Sequence, residues 1–316
     1  MKPTFVDMFC GAGLMSGGFK RAGFKPIYAI DANRFAIASY NKNIAKVAEC
    51  GTIKEPPSKL KSDVLIAGPP CQGFSTLGPR NPLDPRNNMG LRIIDWAKSL
   101  ECELVVVENV KQFVKSANWT ALVDGMERVG FTNNLWDLDA ASFKTPQYRE
   151  RCFTVFSKSK EFLPPKANKK LISCEKVFEK HIKKDDPMHI WPEPSELALE
   201  RIKLVPEGGD KLDIMDQSPE ICPESWFKLG RQALGVWGRI DRSKPSKTIR
   251  CDFQNPSKGR HLHPEENRVI SLREGARLQG VPDSWNFIGP RTQISRQIGN
   301  GVPIPLAAAV AKHLAA

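Results

Sequence analysis

The chain has 316 residues, a formal net charge of +12 and eight cysteines. That length supports one large core with a smaller companion and needs no metal or disulfide, while no run approaches the ~18 uninterrupted apolar residues of a membrane span. The cationic balance suits a polyanionic partner such as nucleic acid, weighed against a plain solvated surface, and the cysteines at 10, 50, 71, 102, 152, 174, 222 and 251 form no Cys-x-x-Cys pair or zinc-spaced cluster.

Met1 to Asp7 carries no apolar signal segment, so a reduced, cytoplasmic, metal-free protein is expected. Thr4 to Phe9 reads as the first strand. Phe9-Cys10-Gly11-Ala12-Gly13 follows it, and Ser16-Gly17-Gly18-Phe19 opens the first helix. Glycines there let the backbone approach a ligand. Ile27 to Ile30 is the second strand, and Asp31 ends it 20 positions after Gly11, the spacing at which an acid meets ribose hydroxyls. Gly-x-Gly-x-x-x-Gly is not the dinucleotide fingerprint, so a structural glycine turn stays an equal reading.

Val64 to Ala67 is a further strand, leading into Gly68-Pro69-Pro70-Cys71-Gln72. Two prolines fix their own φ and push the preceding residues out of the helical region, which sets Cys71 on a rigid loop as a presented nucleophile. Taken alone, it reads first as a small buried hydrophobe at a strand end, and its company turns that reading. Leu104 to Val107 ends in Glu108-Asn109-Val110. Ligands bind at the carboxyl ends of strands in open α/β sheets, so Cys71 and Glu108 are expected to face one crevice. Cys152 to Phe156 closes this alternation of strands and helices, the pattern of a mostly parallel sheet.

From residue 158 lysines surround Pro164-Pro165 and prolines recur, which predicts a loop-rich second domain. Ser271-Leu272-Arg273-Glu274 is a capping box opening a helix that ends near Gly280, and Leu306 to Ala316 reads as the last helix.

Six blocks in order carry a resemblance: Asp7 to Gly13, Gly68 to Ser75, Glu108-Asn109-Val110, Gln147-Tyr148-Arg149-Glu150-Arg151, Arg273 to Gly280 with Pro282-Asp283, and Gly299-Asn300-Gly301-Val302-Pro303. With them the chain resembles the cytosine carbon-5 DNA methyltransferases of bacterial restriction-modification systems. The resemblance implies an α/β, Rossmann-like S-adenosylmethionine-dependent methyltransferase domain with a mostly parallel sheet, formed by residues 1–157 and 266–316. A smaller irregular target-recognition domain, residues 158–265, completes it.

The implied activity is sequence-specific transfer of methyl from S-adenosylmethionine to carbon 5 of a cytosine flipped out of double-stranded DNA. Cys71 would add to carbon 6 and make carbon 5 nucleophilic. Glu108, kept protonated by burial, would serve ring nitrogen 3. Arg151 would hold the carbonyl at carbon 2, while Arg149 supports the site or a phosphate. Gln72 and Ser75 would neighbour the flipped nucleotide, and Thr248-Ile249 matches the short signature of the recognition domain. Phe9, Gly11, Ala12, Gly13, Asp31, Ala32, Thr52, Pro70, Asn300 and Gly301 would surround the cofactor, with Arg277 bracing the two domains. A monomer on DNA, with a cognate restriction endonuclease encoded nearby, is the implied setting, in a bacterium, an archaeon or a phage.

Leu14 stands where the family usually has a second glycine, and Thr52 where an aspartate is common. Leu14 is expected to restrict the cofactor turn and Thr52 to weaken the adenine contact. Asn87 and Met89 are also unusual. Arg231, Arg239, Arg242, Lys244, Lys247, Arg250, Lys258 and Arg260 offer cation for phosphate contacts. Two other readings are a transfer-RNA cytosine methyltransferase, suggested by Cys152-Phe153-Thr154, and a catalytically silent DNA-binding regulator, against which Cys71 and Glu108 both stand.

Overall fold

The computed structural model describes residues 2–70, 89–232 and 234–316. Its first half runs β1 (Thr4–Met8), α1 (Leu14–Arg21), β2 (Lys25–Asp31), α2 (Arg34–Asn43), β3 (Ala48–Cys50), β4 (Val64–Ala67), α3 (Arg92–Leu100), β5 (Leu104–Asn109), α4 (Ala117–Arg128), β6 (Thr132–Asp139) and β7 (Glu150–Ser157). These strands form one sheet in the order β3-β2-β1-β4-β5-β7-β6. Pairing is parallel from β3 to β5, whereas β7 runs antiparallel to both β5 and β6. The apolar runs of β4 and β5 are buried throughout, as strands covered on both faces must be.

The strand order turns around between β1 and β4, and it is at such a point that an open sheet opens a crevice beyond its carboxyl ends. Glycine turn, Asp31, Pro69-Pro70 and Glu108 all leave the sheet at that edge.

Beyond β7 come α5 (Glu175–Glu179), α6 (Glu196–Lys203), α7 (Lys211–Gln217), α8 (Glu224–Leu229), β8 (Gly238–Arg239) and β9 (Arg260–Leu262). Ile202, Val205, Ile214, Trp226, Trp237, Leu262 and Val269 make a local core for this region. Arg239 is 4% exposed and donates to the carbonyls of Ile202, Val205, His263 and Glu266 and to Asn267 Oδ1. It is therefore an internal strut and not a phosphate contact, which corrects the reading from the sequence. Arg242 pairs with Glu207 and Glu265, Arg260 with Asp210, and Lys244 with Asp241, so these three cations are also partly spent inside the protein.

The chain then returns through α9 (Leu272–Leu278), α10 (Arg291–Asn300) and α11 (Ile304–Leu314). The Ser271 capping box is present, with Ser271 accepting from the Glu274 N–H and Glu274 from the Ser271 N–H. Arg277 donates to the carbonyls of Val177, Lys180 and His181 and pairs with Asp283, tying α9 to the region around α5. α11 lies against α1, where a Cβ on Gly18 would overlap the Ala307–Ala308 backbone. The carboxyl-terminal block is thereby brought back beside β1.

The structure adds β3, β6, α10 and, within the loop-rich stretch, α5 to α8 with β8 and β9 to the elements read from the sequence, and starts α1 at Leu14. Among the described residues no helix is long and apolar enough to cross a membrane, and no group of His, Cys, Asp and Glu is arranged to hold a metal.

Candidate active site

Three residues of the turn after β1 adopt the left-handed region: Phe9 (φ 59°), Gly11 (φ 51°) and Gly13 (φ 84°). For Phe9 that conformation is strained by about 1–2 kcal/mol, a cost typical of ligand-holding turns. The space a Cβ of Gly11 would enter is open, whereas one on Gly13 would press on Tyr40 and Ile44 at 2.8 Å. Gly11 is thus the point where a ligand can approach, and Gly13 is where the chain packs on α2.

Asp31 closes one side of the turn. Its carboxylate accepts from the Gly11 N–H at 3.0 Å and the Asn33 N–H at 2.8 Å. Burial raises its pKa, with the two N–H donors acting in the opposite sense. Ala32 follows, its carbonyl accepting from the Cys50 thiol at 3.6 Å, and the Gly51 N–H donates to the Asp31 carbonyl, which leaves Thr52 exposed at the rim.

Leu14 directly follows the turn. It is the first residue of α1, buried, and fills the space against Gly301, where a Cβ would overlap its side chain. Below the turn, Asp7 is buried and accepts from Ser16 Oγ at 2.6 Å, and Ser16 meets Tyr40 Oη at 2.9 Å. Burial pushes the Asp7 carboxyl up to about 8. Asp7 carries no role on sequence grounds; the signal for it is an acid in an otherwise apolar strand.

At the next strand ends, Glu108 and Arg151 meet, Arg151 Nε lying 2.8 Å from Glu108 Oε1. Antiparallel pairing of β5 and β7 makes this contact, since it sets Asn109 opposite Cys152 and carries both side chains to the same edge. Burial raises the Glu108 pKa, opposed by the charges of Arg151 and Arg149. Asn109 Nδ2 donates to the Pro69 carbonyl at 3.0 Å, and a Cβ on Gly68 would lie 3.6 Å from Glu108 Oε2. The Gly68-Pro69-Pro70 segment is therefore held directly beside the acid. Cys71, Gln72, Ser75 and the stretch Asp84-Pro85-Arg86-Asn87 lie outside the described residues.

Lys111 was missed from sequence. Its ammonium lies 2.7 Å from Asp137 and 3.1 Å from Glu150, tying the loop after Glu108 to the strand that presents Arg151. A lysine just after Glu108-Asn109-Val110 and an acid between the two arginines were the usable signal.

Arg149, of the two roles open to it, takes the supporting one. It is 1% exposed and donates to the carbonyls of Ile249 (2.9 Å) and Gly299 (2.7 Å), out of reach of a phosphate. Thr248 Oγ1 donates to the Tyr148 carbonyl at 2.8 Å, and the Ile249 N–H to Gln147 Oε1 at 2.9 Å. Three blocks distant in sequence meet at Arg149. Cys152, Phe153 and Thr154 are all buried in β7, Thr154 accepting from Trp119 Nε1, so that tripeptide is sheet interior.

Asn300, at the end of α10, is exposed, and its Oδ1 lies 2.8 Å from Cys251 Sγ. Beside it a cleft of about 420 Å³ runs between α10 and the segment after Ile249, with Cys251, Asp252, Thr292 and Arg296 among its walls. The turn, the acid that meets Gly11, the exposed hydroxyl of Thr52 and the amide of Asn300 are groups that can donate or accept hydrogen bonds to a ligand.

The family model for C-5 cytosine-specific DNA methylase matches residues 3–316. The type II methyltransferase M.NgoFVII of Neisseria gonorrhoeae is 28% identical, over 96% of this chain and 83% of that protein. M1.HphI of Haemophilus parahaemolyticus, also a type II methyltransferase, is 29% identical over 99% of this chain and 86% of its own length. The structure of the Entamoeba histolytica methyltransferase EhMeth superposes with a TM-score of 0.71 at 15% identity, covering 99% of this chain and 98% of that one, a likeness of fold.

Proposed function

Since the chain belongs to the C-5 cytosine-specific DNA methylase family, we propose that it methylates carbon 5 of a cytosine within a short sequence of double-stranded DNA, as the modification enzyme of a type II system. The observation that carries this reading is the buried Glu108–Arg151 pair beside the anchored Pro69-Pro70 segment. That arrangement sets an acid whose pKa burial raises, and a cation, beside the residues that lead to Cys71.

Cytosine is too electron-poor at carbon 6 and too unreactive at carbon 5 to accept a methyl group unaided. The thiolate of Cys71 adds to carbon 6, and charge moves toward nitrogen 3. Glu108, whose pKa burial raises, gives its proton to nitrogen 3, and Arg151 then faces the carboxylate that forms. Bound S-adenosylmethionine supplies the electrophilic methyl. Water takes the proton from carbon 5, the nitrogen 3 proton returns to Glu108, and Cys71 leaves as the thiolate. The target base must leave the stack for any of this, and the flipped nucleotide is assigned to Gln72 and Ser75.

Phe9, Gly11, Gly13, Asp31, Ala32, Thr52, Pro70, Asn300 and Gly301 hold the cofactor, with Asp31 toward the ribose. The region 158–265 reads the target, with Thr248 among the residues that meet it. The protein works as a monomer in the cytoplasm, beside a restriction endonuclease that cuts the same site.

Transfer of labelled methyl from S-adenosylmethionine to unmethylated genomic DNA, followed by bisulfite sequencing, tests the reading. Methylated cytosines sharing one short motif are expected, with no transfer by Cys71→Ser. Turnover by Cys71→Ser would overturn the assigned nucleophile, and DNA binding without transfer by the wild-type protein would point to a silent regulator.

A further inference from the structure

The tripeptide Gly299-Asn300-Gly301 packs against two parts of the molecule distant in sequence. A Cβ on Gly299 would overlap the Arg250–Cys251 peptide, so α10 ends in direct backbone contact with the segment that follows Thr248-Ile249. A Cβ on Gly301 would overlap Leu14, the residue that follows the glycine turn. Asn300 therefore bridges the target-reading segment and the cofactor turn.

Its side chain is held from one side only. Oδ1 faces Cys251 Sγ at 2.8 Å, while Nδ2 meets no acceptor among the described residues. The position of Cys251 is in turn fixed by Ser295, whose hydroxyl donates to the Cys251 carbonyl at 2.5 Å, and by Arg149, which clamps the preceding Ile249 carbonyl together with that of Gly299. A thiol is a donor toward a carbonyl oxygen. With Oδ1 so engaged, the two hydrogens of Nδ2 point away from Cys251, in the orientation that can serve a carboxylate.

We propose that Cys251 is a positioning residue for the cofactor: its thiol fixes the amide of Asn300 so that the NH2 group is presented to the carboxylate of the methionine end. This rests on the assignment of Asn300 to the cofactor site. Because the same segment reads the target, cofactor and DNA then act on a shared backbone, and the affinity of each depends on the other by an equal factor.

Isothermal titration of S-adenosylhomocysteine into the wild-type protein, Cys251→Ala and Cys251→Ser tests this, with melting curves and steady-state kinetics on the same samples. Losing one neutral hydrogen bond corresponds to a weakening of about five-fold, so Cys251→Ala should bind about five-fold more weakly and show the change mainly in KM for S-adenosylmethionine. Cys251→Ser, whose hydroxyl can donate the same bond, should restore the affinity. Unchanged binding by Cys251→Ala overturns the proposal and leaves the methyltransferase reading intact. Equal weakening of both variants assigns Cys251 to packing and also overturns it. No binding by the wild-type protein removes the cofactor reading on which the proposal stands, and the proposal with it.

Discussion

Arg151 Nε lies 2.8 Å from Glu108 Oε1 at the ends of two adjacent antiparallel strands, and both side chains are largely withdrawn from water. The two influences on the acid oppose each other. Burial raises its pKa, and the arginine charge draws it down, with burial the larger. Glu108 is thus a carboxyl that keeps its proton to higher pH than an exposed glutamate, while the arginine stands ready for the charge that appears when the proton leaves.

Glu108→Gln should lower turnover by about 10²–10⁴-fold, the range of a lost general acid, with DNA binding retained in a gel-shift assay. The pH profile carries the sign. The acid form of Glu108 is present below its raised pKa and lost above it, so wild-type activity should fall on the alkaline side as pH rises through that value. Glu108→Gln, which has no proton to lose there, should lack this limb. A variant that keeps the same alkaline decline would assign it to another group.

Asp7 predicts a pH dependence of stability. Its folded pKa of about 8 stands above the ordinary carboxylate value of 3.8 because the carboxyl is buried. A raised acid stabilises the fold when protonated, so its contribution is present below about pH 4 and is lost as pH rises toward about 8. A shift of this size corresponds to several kcal/mol. Asp7→Asn, which keeps the shape and can still accept from Ser16, should flatten the melting temperature between these limits. A wild-type melting temperature that rises across that window would contradict the assignment.

Leu14 and Arg149 are each expected to act through stability. Leu14→Ala opens a cavity against Gly301 and should cost about 2–5 kcal/mol, with no gain in affinity for S-adenosylmethionine. Arg149→Met strands the buried carbonyls of Ile249 and Gly299, and each unsatisfied group costs about 1–3 kcal/mol. Urea midpoints at constant m would measure both losses. A Leu14→Ala protein of unchanged stability but tighter cofactor binding would restore the view that this position restricts the turn.

The legible parts of the sequence were those with strong local chemistry. Val64–Ala67 and Leu104–Val107 announce buried strands by unbroken apolar runs, and Ser271 with Glu274 announces a helix start. β6, with Asn133, Asn134, Asp137 and Asp139, is an edge strand whose polar faces hide its pairing with β7. α10 reads as a polar loop because Arg291, Thr292, Gln293, Arg296 and Gln297 outnumber its apolar positions. The meeting of Arg149 with Ile249 and Gly299 spans separations of 100 and 150 residues, which no local pattern encodes. Arg239 shows the same limit, because a cation is read as surface until its five internal acceptors are seen.

That lesson sorts the cations of the second region by what already holds them. Arg239, Arg242 and Arg260 are committed to internal carbonyls or carboxylates. Lys247 and Arg250 flank Thr248-Ile249, are exposed, and have no carboxylate partner among the described residues; Lys247 lies over the Tyr148 ring at 5.5 Å. A phosphate contact releases counterions, so removing one lowers the slope of log K against log salt by about 0.9. Lys247→Ala and Arg250→Ala should each reduce the slope by about that amount, weakening binding alike on cognate and unrelated duplexes. Arg242→Ala, which frees Glu207 and Glu265 instead, should leave the slope unchanged. Fluorescence anisotropy of a labelled duplex across a salt series reads all three, and a loss of slope in Arg242→Ala equal to the others would return that arginine to the DNA surface.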